Sequence, residues 1–109
     1  MREQPQLSIQ VTGDAPVVIR LAGELDMATA PALADALSAV DGEDVVVDCD
    51  ALSFLDSSGI SVLVGAHRDG ARTGHHLTLR DVGGTPRRSL EICGLTEILA
   101  LDDTGSRAS

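Results

Sequence analysis

Leu7-Ser8-Ile9-Gln10-Val11 alternates apolar and polar residues, the two-residue period of a strand buried on one face. Thr12-Gly13-Asp14-Ala15-Pro16 reads as a turn. Val17, Ile19 and Leu21 resume the period, so the two runs predict a hairpin. Gly23-Glu24-Leu25-Asp26 breaks the second strand. Thr29 caps a helix and tolerates Pro31 in its first turn. Leu33, Ala36, Leu37 and Val40 then share one helical face, and Asp41-Gly42-Glu43-Asp44 closes it. Val45-Val46-Val47, apolar at every position, predicts a buried central strand. Asp48-Cys49-Asp50 reads as the strand ending in solvent, followed by a loop through Phe54 to Asp56. From Ser57 the period is helical again. Ile60, Leu63, Val64 and His67 form one stripe, and the helix ends between residues 70 and 74. Leu77-Thr78-Leu79 is another strand and Asp81-Val82-Gly83-Gly84 a loop. Thr85 caps a third helix with Pro86 first, and Gly94 stops it. Residues 98–101 predict a last short strand, and the small polar residues 102–109 a frayed tail.

The order is β-β-α-β-α-β-α with a strand at the end. Repeated β-α-β units imply a parallel sheet with crossover helices, and the opening hairpin adds an antiparallel edge. The expectation is therefore one α/β domain over residues 1–109, with an ordered core of about 7–101. Its sheet is mixed, mostly parallel and four- to five-stranded.

Composition narrows what such a domain does. The 109 residues hold 43% hydrophobic residues, enough for a packed core. No apolar run approaches the roughly 20 residues of a membrane helix, and residues 1–6 lack a basic-then-apolar leader. A soluble, cytoplasmic protein with no membrane partner is expected. Phe54 is the only aromatic residue and the net charge is -9. Both facts argue against nucleic acid, which is bound through stacking platforms and basic surfaces. A basic protein patch suits this chain better as a partner.

Every basic residue is an arginine. A Walker A loop, a kinase strand lysine and a Schiff base all need a lysine, so none can be built in its usual form. Cys49 and Cys93 make no metal-ligand spacing with His67, His75 or His76, and both read as buried thiols. No metal, cofactor or catalytic residue is expected.

Asp56-Ser57-Ser58-Gly59 stands directly before the second helix. Asp56 or Ser57 can accept hydrogen bonds from the free amides of its first turn. Gly59 leaves that turn bare at a cost of about 1 kcal/mol in helix propensity, as if something must approach the backbone closely. By spacing alone this is an ordinary capped helix start.

A resemblance adds to that reading. Leu52-Ser53-Phe54-Leu55-Asp56-Ser57-Ser58-Gly59-Ile60 resembles the signature of bacterial anti-sigma factor antagonists and the wider STAS domain family. Leu21-Ala22-Gly23-Glu24-Leu25-Asp26 resembles the motif at the end of that family's second strand. Leu90-Glu91-Ile92-Cys93-Gly94-Leu95 resembles the end of its third helix. The likeness runs from about Leu7 to Leu101 and implies a STAS-like domain with helices packed mainly on one side. In the family, the serine after the aspartate is phosphorylated, which here is Ser57 and not Ser58. The resemblance implies that the unphosphorylated form binds an anti-sigma factor with kinase activity, which then lets go of its sigma factor. Phosphorylation ends the binding and a serine phosphatase restores it. The implied partner-binding residues are Glu24, Asp26, Asp56, Ser57, Ser58, Gly59, Ile60 and Ser61. Ser61 departs from the family, which often has a second glycine there.

Three rivals bear comparison. Asp48-Cys49-Asp50 could be the D-x-D of a phosphate-transferring hydrolase, but the lysine such enzymes use is missing, and Gly59-Ile60-Ser61-Val62-Leu63 fails the serine-hydrolase pattern at its last glycine. A response-regulator receiver would also need a lysine and would lack the opening hairpin. A STAS scaffold of a larger stress-signalling assembly, or a STAS interaction module that has lost phosphorylation, shares all the motifs.

Overall fold

A computed structural model describes residues 6–13, 15–96 and 99–102 of the chain. Its elements are β1 (Leu7–Thr12), β2 (Val17–Leu25), α1 (Ala30–Ala39), β3 (Val45–Leu55), α2 (Ser57–Arg72), β4 (Leu77–Arg80), α3 (Gly84–Ile92) and β5 (Ala100–Asp102). They form a five-stranded sheet in the order β1-β2-β3-β4-β5. Only the β1–β2 pair is antiparallel.

Each crossover helix steps the chain one strand in the same direction. Right-handed connections therefore lay all three helices on one face. The strands show the same division. Val17, Ile19, Leu21, Val45, Val47, Leu77 and Leu79 are buried and meet Leu33, Leu37, Ile60, Leu63 and Leu90 in one core. Between them Val18, Arg20, Val46, Thr78 and Arg80 stay exposed or half-buried on the open face.

The sequence pattern ended two strands too early. β2 does not break at Gly23-Glu24 but runs to Leu25. Gly23, at φ +116°, lies so close to the Gln6 carbonyl that a side chain would collide with it, and the Glu24 amide donates to that carbonyl at 2.8 Å. β3 does not end at Asp50 but runs to Leu55. Between Arg20 and Ala22, and again between Gly23 and Glu24, β3 takes one residue more than its partner. Each such bulge resets which face a side chain meets, so a two-residue period is lost while the pairing continues. Asp48 and Cys49, within the strand and not at its end, are both buried, Cys49 in the core and Asp48 on the open face.

The third helix also differs from expectation. Gly83, not Thr85, is its N-cap, and Pro86 is the third helical residue, fully buried. Proline fits there because a first-turn amide has no partner within the helix. Gly94 does stop it: at φ +71° it lets its own amide reach the Glu91 carbonyl and the Leu95 amide reach the Leu90 carbonyl. Cys49 is buried as expected, and burial, with the charges of Asp48 and Asp81, pushes its thiol up to about 12. Cys93 is exposed, because it follows the last turn of α3 on the side away from the core. Of the expected last strand, residues 97 and 98 lie outside the described residues, and pairing with β4 begins at Ala100. Asp102 belongs to β5 rather than to a tail, and residues 103–109 lie outside the described residues.

Candidate functional site

The C-terminal ends of β2 and β3 lie side by side, because Leu25 pairs with Leu55. The Asp56 amide donates to the Leu25 carbonyl at 3.2 Å and closes the ladder. Asp26 and Asp56 thus leave neighbouring strands at one rim of the sheet, each opening the way to a helix.

At Asp56 the backbone is extended (φ -112°, ψ -173°) and the side chain turns back over α2. Its Oδ1 accepts from the amides of Ser58 at 2.9 Å and Gly59 at 3.2 Å. The Ile60 amide reaches the Asp56 carbonyl at 3.0 Å. Of the two residues that could cap the helix, Asp56 does so. Ser57, the first helical residue, is left exposed, Ser58 is half-buried, and Ser61 is exposed one turn on. Ser61 also borders an open cleft of about 600 Å³ between α1 and α2.

Gly59 and Ile60 face inward. A Cβ at Gly59 would lie 2.5 Å from Leu25 Cγ and 2.8 Å from Leu55 Cδ1. What approaches the bare turn closely is the protein's own core. Gly59 lets α2 sit directly on the last inward residues of both strands, and this fixes where Ser57 stands.

Asp26 and Thr29 form a reciprocal knot ahead of α1. The Asp26 amide donates to Thr29 Oγ1 at 2.8 Å, and Asp26 Oδ1 accepts from the amides of Ala28 at 3.0 Å and Thr29 at 3.1 Å. Thr29 Oγ1 in turn donates to the Glu24 carbonyl at 2.9 Å. Thr29 is the N-cap residue, but its hydroxyl ties the turn to β2 instead of capping helix amides. The knot ties the turn that carries Asp26 to the end of β2 at Glu24.

The neighbourhood holds two further features. Phe54 and Met27 are 40% and 76% exposed and flank the two aspartates in sequence. Phe54 could have been singled out from composition alone, as the one aromatic residue. On the open face, Asp48 is buried between Arg80 (3.1 Å) and Arg20 (3.8 Å). Burial alone would push its carboxyl up. The Asp50 amide, the Arg80 guanidinium and then the Arg20 charge outweigh this and hold it below the usual carboxylate range. Asp48 is thus an ion-paired strand residue and not a strand end in solvent.

Residues 6–108 match the STAS domain. An anti-sigma F factor antagonist of Paenibacillus polymyxa is 30% identical over 91 residues, 80% of this chain and 78% of that one. An anti-sigma-B factor antagonist of Listeria monocytogenes is 33% identical over 86 residues, 76% of this chain and 75% of that one. The crystal structure of an anti-sigma factor antagonist from Mycobacterium paratuberculosis matches with a TM-score of 0.79 and 31% identity, covering 90% of this chain and 86% of that one. The chain belongs to the STAS domain family, among the anti-sigma factor antagonists.

Proposed function

We propose that this STAS domain is an anti-sigma factor antagonist switched by phosphorylation of Ser57. Unphosphorylated, it docks on an anti-sigma factor that is itself a serine kinase, and the sigma factor is released. The kinase transfers phosphate to the Ser57 hydroxyl, the complex separates, and a serine phosphatase resets the switch. The observation that carries this reading is the setting of Ser57: an exposed hydroxyl at the first position of a sixteen-residue helix, beside an aspartate already occupied in capping.

That setting favours a switch in binding over a switch in folding. A phosphoserine carries about -1.5 to -2 charges at pH 7, and a helix N-terminus tolerates an anion through its dipole. The amides of Ser58 and Gly59 are taken by Asp56, so the phosphate stands outward instead of folding back onto them. The rim already carries Glu24, Asp26 and Asp56. A partner surface fitted to a neutral hydroxyl then meets a bulky, unpaired charge. Such a mismatch costs several kcal/mol in a desolvated interface, a change of orders of magnitude in affinity. In this reading Ser57, Ser58 and Ser61 meet the partner, Glu24, Asp26 and Asp56 supply charge, and Gly59 and Ile60 seat the helix beneath them.

The test is phosphosite mapping by mass spectrometry after incubation with ATP and each anti-sigma kinase of the source organism. Phosphate is expected on Ser57, with loss of the complex. Ser57→Ala should keep the fold, take no phosphate and stay bound, and Ser58→Ala should still be phosphorylated. Phosphate that disappears only in Ser58→Ala would move the site, and stable binding without phosphate would make the chain a scaffold.

A further inference from the structure

Single exposed apolar side chains are ordinary on protein surfaces. The exposed large ones described here are Val11, Met27, Phe54 and Ile92, and two of the four flank the proposed switch. Phe54 is the chain's only aromatic residue, while the core is built from aliphatic side chains. A lone aromatic normally goes inside, where it removes about 150–250 Å² from water. Here the adjacent Leu55 points into the core, and Phe54, paired in register with Glu24, points the other way. Met27 lies beyond Asp26 in the turn knotted by Thr29, so its backbone is fixed although its side chain is 76% exposed.

We infer that Phe54 and Met27 are the apolar anchors of the docking surface. They insert into an apolar socket on the anti-sigma factor that is rimmed by arginine or lysine. The socket is matched to these side chains, and the basic rim to Glu24, Asp26 and Asp56 on a chain of net charge -9. Aromatic residues and methionine are enriched at interface centres, and a few such anchors carry most of the affinity. This assignment rests on the proposed antagonist function and divides the labour within it. The anchors hold the complex, the acidic rim steers its approach, and phosphate on Ser57 pushes it apart.

The experiment measures binding kinetics against the anti-sigma factor that forms the wild-type complex. Phe54→Ser is expected to weaken binding roughly thirtyfold or more, chiefly through faster dissociation. Met27→Gln should weaken it several-fold in the same way. Glu24→Gln should instead slow association and flatten its salt dependence. Ile92→Ser, an equally exposed site at the far end of α3, should change nothing. Thermal unfolding of each variant reports folding, and should Phe54→Ser fail to fold, Met27→Gln decides alone. Undiminished affinity in Met27→Gln and in folded Phe54→Ser overturns the anchors and leaves the antagonist reading standing. So does a wild-type homodimer that Phe54→Ser dissolves, since the patch would then belong to a second copy. No complex between the wild-type chain and any anti-sigma factor overturns the antagonist reading, and the anchors with it.

Discussion

Gly59 and Asp48 show how much a single residue's meaning depends on what lies across from it. Gly59→Ala would gain helix propensity in an isolated helix. Here the added Cβ meets Leu25 and Leu55 at 2.5–2.8 Å, so the substitution should destabilise the domain by about 1–3 kcal/mol. Chemical denaturation checks this, and a stabilised variant would contradict the packing. The aspartate cap and the helix behind it were legible in sequence, since Asp56 precedes a clear helical stripe. The reason for the glycine was not, because Leu25 lies 34 positions upstream of it. Asp48 makes a pH prediction. Its folded-state pKa lies below the ordinary 3.8, so its share of stability is whole above 3.8 and is lost as pH falls from there through the lower folded-state pKa. Asp48→Asn should therefore cost roughly 1–3 kcal/mol at pH 7 and lose stability less steeply than wild type below about pH 4. Parallel acid limbs for the two proteins would contradict the ion pairing with Arg80 and Arg20.

Among the elements, β1, the first part of β2 and the apolar stripes of α1 and α2 were readable because their periods are unbroken. Leu33, Leu37, Ile60 and Leu63 were placed inside by the 3.6-residue spacing and lie there. The second half of β3 was not readable. Its two bulges follow Asp48 and leave Ser53 and Phe54 out together, a pattern that resembles a loop. The proposed docking rim stands on that half-strand. The β2–α1 turn is the second support of the rim, and it depends on Thr29. Thr29→Val keeps the shape but leaves the Asp26 amide and the Glu24 carbonyl without the bonds that Oγ1 provides. The expected loss is about 1–3 kcal/mol in thermal unfolding, together with weaker partner binding. Unchanged stability would mean that the turn does not need the knot.

At the scale of the whole molecule, the three helices on one face leave the ends of β2 and β3 free to meet α2 at a single rim. A strongly acidic chain whose basic residues are arginines brings no lysine for phosphoryl chemistry of its own, yet it offers a hydroxyl at a helix start amid carboxylates. Such a surface suits a phosphate acceptor read by a basic partner. The fold class and the serine motif could both be read from sequence, through strand and helix order and through Asp56-Ser57. Composition alone marks Phe54 as the one aromatic residue, but that it and Met27 are exposed follows only from the fold. One comparison tests the proposed switch most directly: the affinity of the anti-sigma factor for the unphosphorylated protein and for the same protein phosphorylated on Ser57, by titration calorimetry. A loss of about a hundredfold or more on phosphorylation is predicted, with the thermal stability of the free domain nearly unchanged. Equal affinities for the two forms, or a phosphorylated domain that unfolds, would contradict it.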